Sequence, residues 1–207
     1  MLANIRCLGY LRKNSLFHSS IMANKSSITL PWIHAGYEIF SREGPKGLKV
    51  ETLARAVQKN KSSFYHLFAD VEVFTEMLLE YHLERGGIIA AQARLCRTMV
   101  PDMLHLLLDV KQDILFNRQL RIHRDIPEFR MCFEKANGQV VEAFLSLWAE
   151  ALNLGDKTYL AQIILNLTIE NFYLRVTAET LTYDWLTTYL HEIQFMVQEI
   201  VKNRKAA

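Results

Sequence analysis

Between Gly44 and His66 the chain carries five basic residues, Lys46, Lys49, Arg55, Lys59 and Lys61, against one acid, Glu51. A local excess of this kind suits a phosphate-facing surface, because each cation set against a nucleic-acid phosphate releases a condensed counterion. The excess runs into the segment KNKSSFYHLF, Lys59 to Phe68, where three aromatics crowd a histidine. On a helix Phe64 and Phe68 stack one turn apart on a single face, whereas Lys61, Ser62, Tyr65 and His66 point largely elsewhere. One face is made to be buried and the other to touch something polar.

Such a face needs elements to hold it. The sequence predicts a short helix from about Val50 to Val57, with Leu53, Ala54 and Val57 inward, and another from about Lys61 to Phe68, separated by Gln58, Lys59 and Asn60. Two short helices joined by a three-residue turn, the second presenting small polar and basic residues, describe a helix-turn-helix. The same pattern also fits a plain helical hairpin inside a bundle. Upstream, Pro31 suits a first helical position with Thr29 as a nearby cap, and Trp32, Ile33, Gly36, Ile39 and Phe40 follow at helical spacing up to the stop signal Gly44-Pro45. Downstream, Asp70 can cap a fourth helix that continues through Phe74, Met77, Leu78 and Tyr81 towards Arg97, with Gly86-Gly87 as a loosening point.

Further helices are expected over 101–120, 125–137, 139–153, 157–179 and 183–203, with Gly155 and Asp156 marking a break. No segment alternates cleanly as a strand does, and there is no internal repeat, so the expected fold is all-α. It divides into an N-terminal three-helix domain over 28–70 and a larger C-terminal helical domain over 71–207.

The whole chain, 207 residues and 24.1 kDa, is too long for a lone DNA-binding module and long enough to bury a sizeable core. Its net charge of +2 is too mild to identify a nucleic-acid binder, so the placement of the charges carries the inference. Three cysteines, Cys7, Cys96 and Cys132, without metal-ligand spacing argue against a disulfide framework or zinc module and for a reducing, cytoplasmic setting. His82, His105 and His123 are scattered, which points to no metal site and no cofactor. There is no phosphate-cradling glycine loop and no nucleophile motif, so catalysis is not expected. Apolar runs are too short to span a bilayer. Residues 1–27 stand apart: no acid precedes Glu38, and the acid-free, Ser-containing leader superficially resembles a transit peptide. Met22 offers a natural beginning, so the leader is read as a disordered arm or an over-extended start.

The stretch from Trp32 to Leu79, about a quarter of the chain, also closely resembles the DNA-binding region of the tetracycline-repressor (TetR) family. WIHAGYEIFSREG is similar to that family's first helix and terminal glycine, VETLARAV to its second, KSSFYHLF to its recognition helix and DVEVF to the start of its fourth. The resemblance implies that Ser62, Ser63 and His66 face base edges with Lys61 near them, and that Tyr65 meets the DNA backbone. It makes Lys49, Thr52, Lys59 and Asn60 phosphate contacts, which position a protein without reading sequence. The chain departs from the family pattern where Gln58 replaces a turn glycine, Lys59 an apolar residue, Lys49 a small cap residue and Val71 a phosphate-binding lysine. A positive φ at Gln58 would carry a cost of about 1 kcal/mol.

In that family the remaining helices form an effector pocket and a two-helix dimer contact. Independently, the last two helices are rich in apolar positions, among them Ile163 and Leu167 on one and Leu186, Leu190, Ile193 and Met196 on the other, suited to a four-helix interface between two subunits or to filling the monomer core. Glu170 interrupts the apolar row Leu160, Ile163, Leu167, Leu174. A carboxylate there needs a partner: either an arginine such as Arg121, Arg124 or Arg175, or an effector anchored with help from Asn166. The expectation is a DNA-binding transcriptional regulator, a homodimeric repressor released from a roughly palindromic operator by a small-molecule effector. The alternative is a helical interaction module whose helix-turn-helix contacts a protein.

Overall fold

Helix-favouring residues and local caps account for most of the architecture. The computed structural model describes residues 28–203, and among them all regular structure is helical: nine α-helices and two short turns of tighter or wider helix, with no strand. Helix α1 spans 28–43 and ends at Gly44, whose φ of +67° is the left-handed conformation that glycine adopts without a steric penalty. A 3-10 turn, Gly44–Gly47, leads to α2 (Val50–Ala56) and α3 (Lys61–Leu67). Asn60 caps α3 by accepting from Ser63 N at 2.8 Å, and Asp70 caps α4 (Val71–Ala93) by accepting from Val73 N at 2.9 Å. Lys49 supplies no side-chain cap to α2.

The helices α1–α3 close on an aromatic cluster. Trp32 meets Phe64 and Phe68 edge-on at ring separations of 5.6 and 6.2 Å, and Phe74 from α4 completes the group against both phenylalanines. Gly36 permits this packing, since a Cβ there would stand 2.5 Å from Phe74 Cζ. Downstream follow a wide turn, Met99–Met103, then α5 (Leu104–Asp109), α6 (Lys111–Ile122), α7 (Pro127–Ala151), α8 (Thr158–Arg175) and α9 (Tyr183–Asn203). One continuous apolar core runs from Trp32 to Val197. Helix α1 belongs to both ends of it: Tyr37 and Phe40 each pack on Phe116 of α6 at 4.3 Å between ring centroids. Gln119 of α6 donates to Arg42 O at 3.3 Å, tying down the end of α1.

Several expected boundaries move. The helix expected over 101–120 is broken at Val110, whose φ of −100° and ψ of 26° leave the helical region between α5 and α6. The two helices expected on either side of Gly138 are one, α7, because a single glycine costs only about 1 kcal/mol in a helix and long packing against α4 outweighs that. Gly86 does not loosen α4 but lets it approach α7, where a Cβ would lie 3.3 Å from Ala136 Cα and Cβ. Helix α8 begins at Thr158 without a side-chain cap from Asp156. Thr29 lies inside α1 and not ahead of it. The leader expected over 1–27 lies outside the described residues. Among those described, no helix is long and apolar enough to cross a membrane.

Candidate nucleic-acid interface and buried cavity

The short helix α3 has two faces set by sequence spacing. Phe64 and Phe68 are wholly buried, while Lys61, Ser62, Tyr65 and His66 are exposed. Lys49, Lys59 and Asn60 are exposed around it and Thr52 is half-buried on α2. The nine polar residues expected at an interface therefore gather on α2, α3 and their connection. Their individual freedom differs. Asn60 Oδ1 is committed to the α3 cap, accepting both Ser63 N and, at 2.7 Å, Ser63 Oγ. The half-buried Ser63 hydroxyl thus points back along its own helix in the DNA-free chain, while Ser62 and His66 are exposed. Lys61 Nζ pairs with Glu51 of α2, and this lysine holds the Glu51 carboxyl below its usual range. Both partners are exposed, so the pair is weak and exchangeable.

Gln58 adopts a φ of +55° in the α2–α3 turn. The turn keeps the left-handed conformation that glycine would favour, and the glutamine bears the strain.

A second feature lies among α4–α9: a cavity of about 140 Å³. Its wall is largely apolar, with Met103, Leu107, Phe144, Trp148, Ile169 and Phe172 contributing from four elements. The indole nitrogen of Trp148 is buried without a hydrogen-bond partner among the described residues. Leu186, Leu190 and Ile193 also line it and are only 3%, 5% and 7% exposed. They are core residues of the single chain, as in the alternative in which these stripes fill the monomer core. Ile163, Leu167 and Met196 remain on the surface, with Leu167 69% exposed.

Asn166 and Glu170 are exposed and do not line the cavity. Glu170 is held by Arg121, with Arg124 3.9 Å away, and Asn166 accepts from Gln162 at 3.0 Å. The ion-pair alternative for Glu170 is the one realised, and neither residue forms part of this pocket.

Sequence reasoning missed a buried polar network at one end of the cavity. Asp113 and Asn117, one turn apart on α6, both line it. Arg85 of α4 grips the Asp113 carboxylate through two hydrogen bonds of 3.0 and 2.8 Å, and Tyr37 of α1 donates its hydroxyl to the same group at 2.8 Å. His82 Nδ1 lies 2.5 Å from Tyr37 Oη and Nε2 lies 2.9 Å from the Asn117 side-chain amide. Asn117 Oδ1 faces Nε2, so Nε2–H donates to it, and the Tyr37 hydroxyl stands between the bare Nδ1 and the Asp113 carboxylate. Burial pushes His82 down to about 4, so the ring is neutral. Burial, with the Asp113 carboxylate beside it, pushes the Tyr37 hydroxyl far above its ordinary value. The spacings His82/Arg85 and Asp113/Asn117, each on one helix face, were the available signal.

Among the described residues no group of three His, Cys, Asp or Glu side chains could hold a metal ion. Burial raises the Cys132 thiol to about 12, so that sulfur is an inert core atom. Comparison with protein-family models, with curated proteins and with solved structures finds no match to the chain.

Proposed function

We propose that the chain is a DNA-binding transcriptional regulator of the TetR type, with α1–α3 as its helix-turn-helix head and α4–α9 as an effector-binding and dimerising body. The observation that carries this reading is the division of α3: two buried phenylalanines fix it to the protein, and its exposed face offers Lys61, Ser62, Tyr65 and His66 together. In the major groove, Ser62 and His66 would face base edges, while Tyr65, Lys49, Lys59 and Thr52 would meet the backbone. Lys61 would exchange Glu51 for a phosphate.

The exposed apolar stripe Tyr159, Ile163, Leu167 and Leu174 on α8, with Phe195, Met196 and Ile200 on α9, supports a homodimer through these two helices. Two heads related by a two-fold axis read an approximately palindromic operator. The cavity supports a small-molecule effector, and the polar network supports a route for its effect, because Asp113 and Asn117 touch the cavity while Tyr37 belongs to the head. The mechanism is a population shift: an effector that binds the DNA-free arrangement more tightly releases the operator, and the protein acts as a cytoplasmic repressor.

Selection of bound genomic fragments, footprinting and a salt titration test this reading. Expected are a palindromic footprint, affinity that falls steeply with salt, weaker binding to all DNA in Tyr65→Phe, and in His66→Ala a loss of discrimination of about 1–3 kcal/mol. Well-folded variants with every DNA affinity unchanged would remove α3 from the groove. A protein partner protected on the same face, with no footprint, would favour an interaction module instead.

A further inference from the structure

We infer that Glu51 is a built-in competitor for DNA phosphate: it occupies Lys61, the lysine of α3, when no DNA is present, and so sets how tightly, not how selectively, the α1–α3 head holds DNA. This rests on the reading of α3 as the DNA-facing helix and adds a control on its affinity.

The placement of one acid carries the inference. Between Gly44 and His66 five cations are set against a single carboxylate, Glu51. That carboxylate belongs to the first turn of α2 and Lys61 is the first residue of α3, so their ion pair bridges the two helices. Among the described residues Lys46, Lys49, Arg55 and Lys59 enter no ion pair. The acid is therefore set on the one cation of the five that α3 carries.

Its charge follows from its neighbours. The Lys61 ammonium, with Lys49 adding to its field, holds the Glu51 carboxyl below its usual range, so the group is ionised at neutral pH. The two side chains are 57% and 56% exposed, and a phosphate can replace either partner. A pair this open does little to hold the fold. What remains is its effect on charge.

That effect has two parts. Lys61 must give up its carboxylate to meet a phosphate, and the carboxylate then stays beside the DNA. The stranded acid retains one cation, so one fewer counterion is released for each head that binds. Phosphates carry no sequence information, so random and operator DNA are weakened alike. In a regulator released by an effector, a looser grip needs a smaller difference in effector affinity between the two arrangements.

The test uses the full-length protein and a mixed-sequence DNA duplex, titrated from about 50 to 200 mM salt. Glu51→Gln should bind at least about threefold more tightly than the wild type at the lower salt. Its logarithmic salt slope should be steeper by about 0.9 for each head, so that the gain shrinks about threefold at the higher salt. Removing an acid from α7 by Glu134→Gln should change neither quantity. Lys61→Met should weaken binding about two- to fivefold more in the Glu51→Gln chain than in the wild type, because only there does the lysine reach DNA without a prior partner. All three sites are exposed, so the variants keep the fold, which unchanged unfolding midpoints check. The inference is overturned if Glu51→Gln leaves affinity and slope unchanged, if Glu134→Gln matches it, or if Lys61→Met costs the same on both backgrounds. Weaker operator binding in Glu51→Gln with random DNA unaffected would make Glu51 a base reader and overturn it too. A wild-type chain without salt-dependent affinity for the duplex removes the DNA reading and this inference together. A wild-type chain that shows the salt slope, with Glu51→Gln identical to it, removes this inference alone.

Discussion

Tyr37 and Asp113 are 76 residues apart in sequence, yet the Tyr37 hydroxyl donates to the Asp113 carboxylate at 2.8 Å, joining α1 to α6. The ring of the same tyrosine stacks on Phe116 at 4.3 Å, so the contact is apolar on one side and polar on the other. Through this pair the wall of the cavity and the first helix of the α1–α3 unit share one buried network.

Tyr37→Phe should keep the stacking and lose only the hydroxyl, leaving His82 Nδ1 and one lone pair of Asp113 unmatched. A stability loss of about 1–3 kcal/mol is expected in urea unfolding. Combined with Asp113→Asn, the loss should be less than additive, because the two residues serve one network. Strict additivity in the double-mutant cycle would show that the pair is not coupled.

Acid should weaken the fold through His82. Its folded value is about 4, against 6.5 in an open chain. Between those values the unfolded chain binds a proton that the folded one refuses, since Arg85 and burial disfavour the charged ring despite Asp113 and Asn117. The contribution is therefore complete above about pH 6.5, declines as pH falls towards 4 and then levels, amounting to about 3 kcal/mol. Urea midpoints at several pH values should show a shallower acid limb in His82→Asn than in the unaltered protein. Equal slopes would assign the acid sensitivity to other groups.

Gln58→Gly should stabilise the protein, an uncommon sign for a glycine substitution. Relief of the left-handed strain at φ +55° exceeds the added freedom of the unfolded chain, for a net gain of about 0.5–1 kcal/mol. Gln58→Val should move stability the other way. A loss on introducing glycine would mean that the Gln58 side chain contributes more than its backbone costs.

Leu167 and Leu190 should respond in opposite ways. Leu190→Ala should cost about 2–4 kcal/mol in unfolding, because it empties a core position. Leu167→Glu should leave stability of the isolated chain nearly unchanged and, if α8 and α9 pair with a second copy, shift light scattering from twice the chain mass to the chain mass. A dimer indifferent to Leu167→Glu would place the contact elsewhere.

What the sequence determined by itself is local. The caps at Asn60 and Asp70, the left-handed stop at Gly44 and the buried pair Phe64 and Phe68 each depend on residues within about one helical turn, where spacing and backbone preference act directly. The all-α fold followed from many such signals in series. Tertiary structure decided which side of an apolar helix faces inward. Helices α8 and α9 carry large apolar residues on more than one face, so periodicity alone could not tell that Leu186, Leu190 and Ile193 turn to the cavity while Leu167, Phe195 and Met196 turn outward. It also decided that Glu170 meets Arg121, that Asp113 gathers Arg85 and Tyr37, and that Trp148 keeps its donor unmatched. Those outcomes depend on groups tens of residues apart. Their partners are fixed only when several helices pack at once, because a buried polar atom is satisfied by whatever the fold brings within about 3 Å and not by its neighbours in sequence.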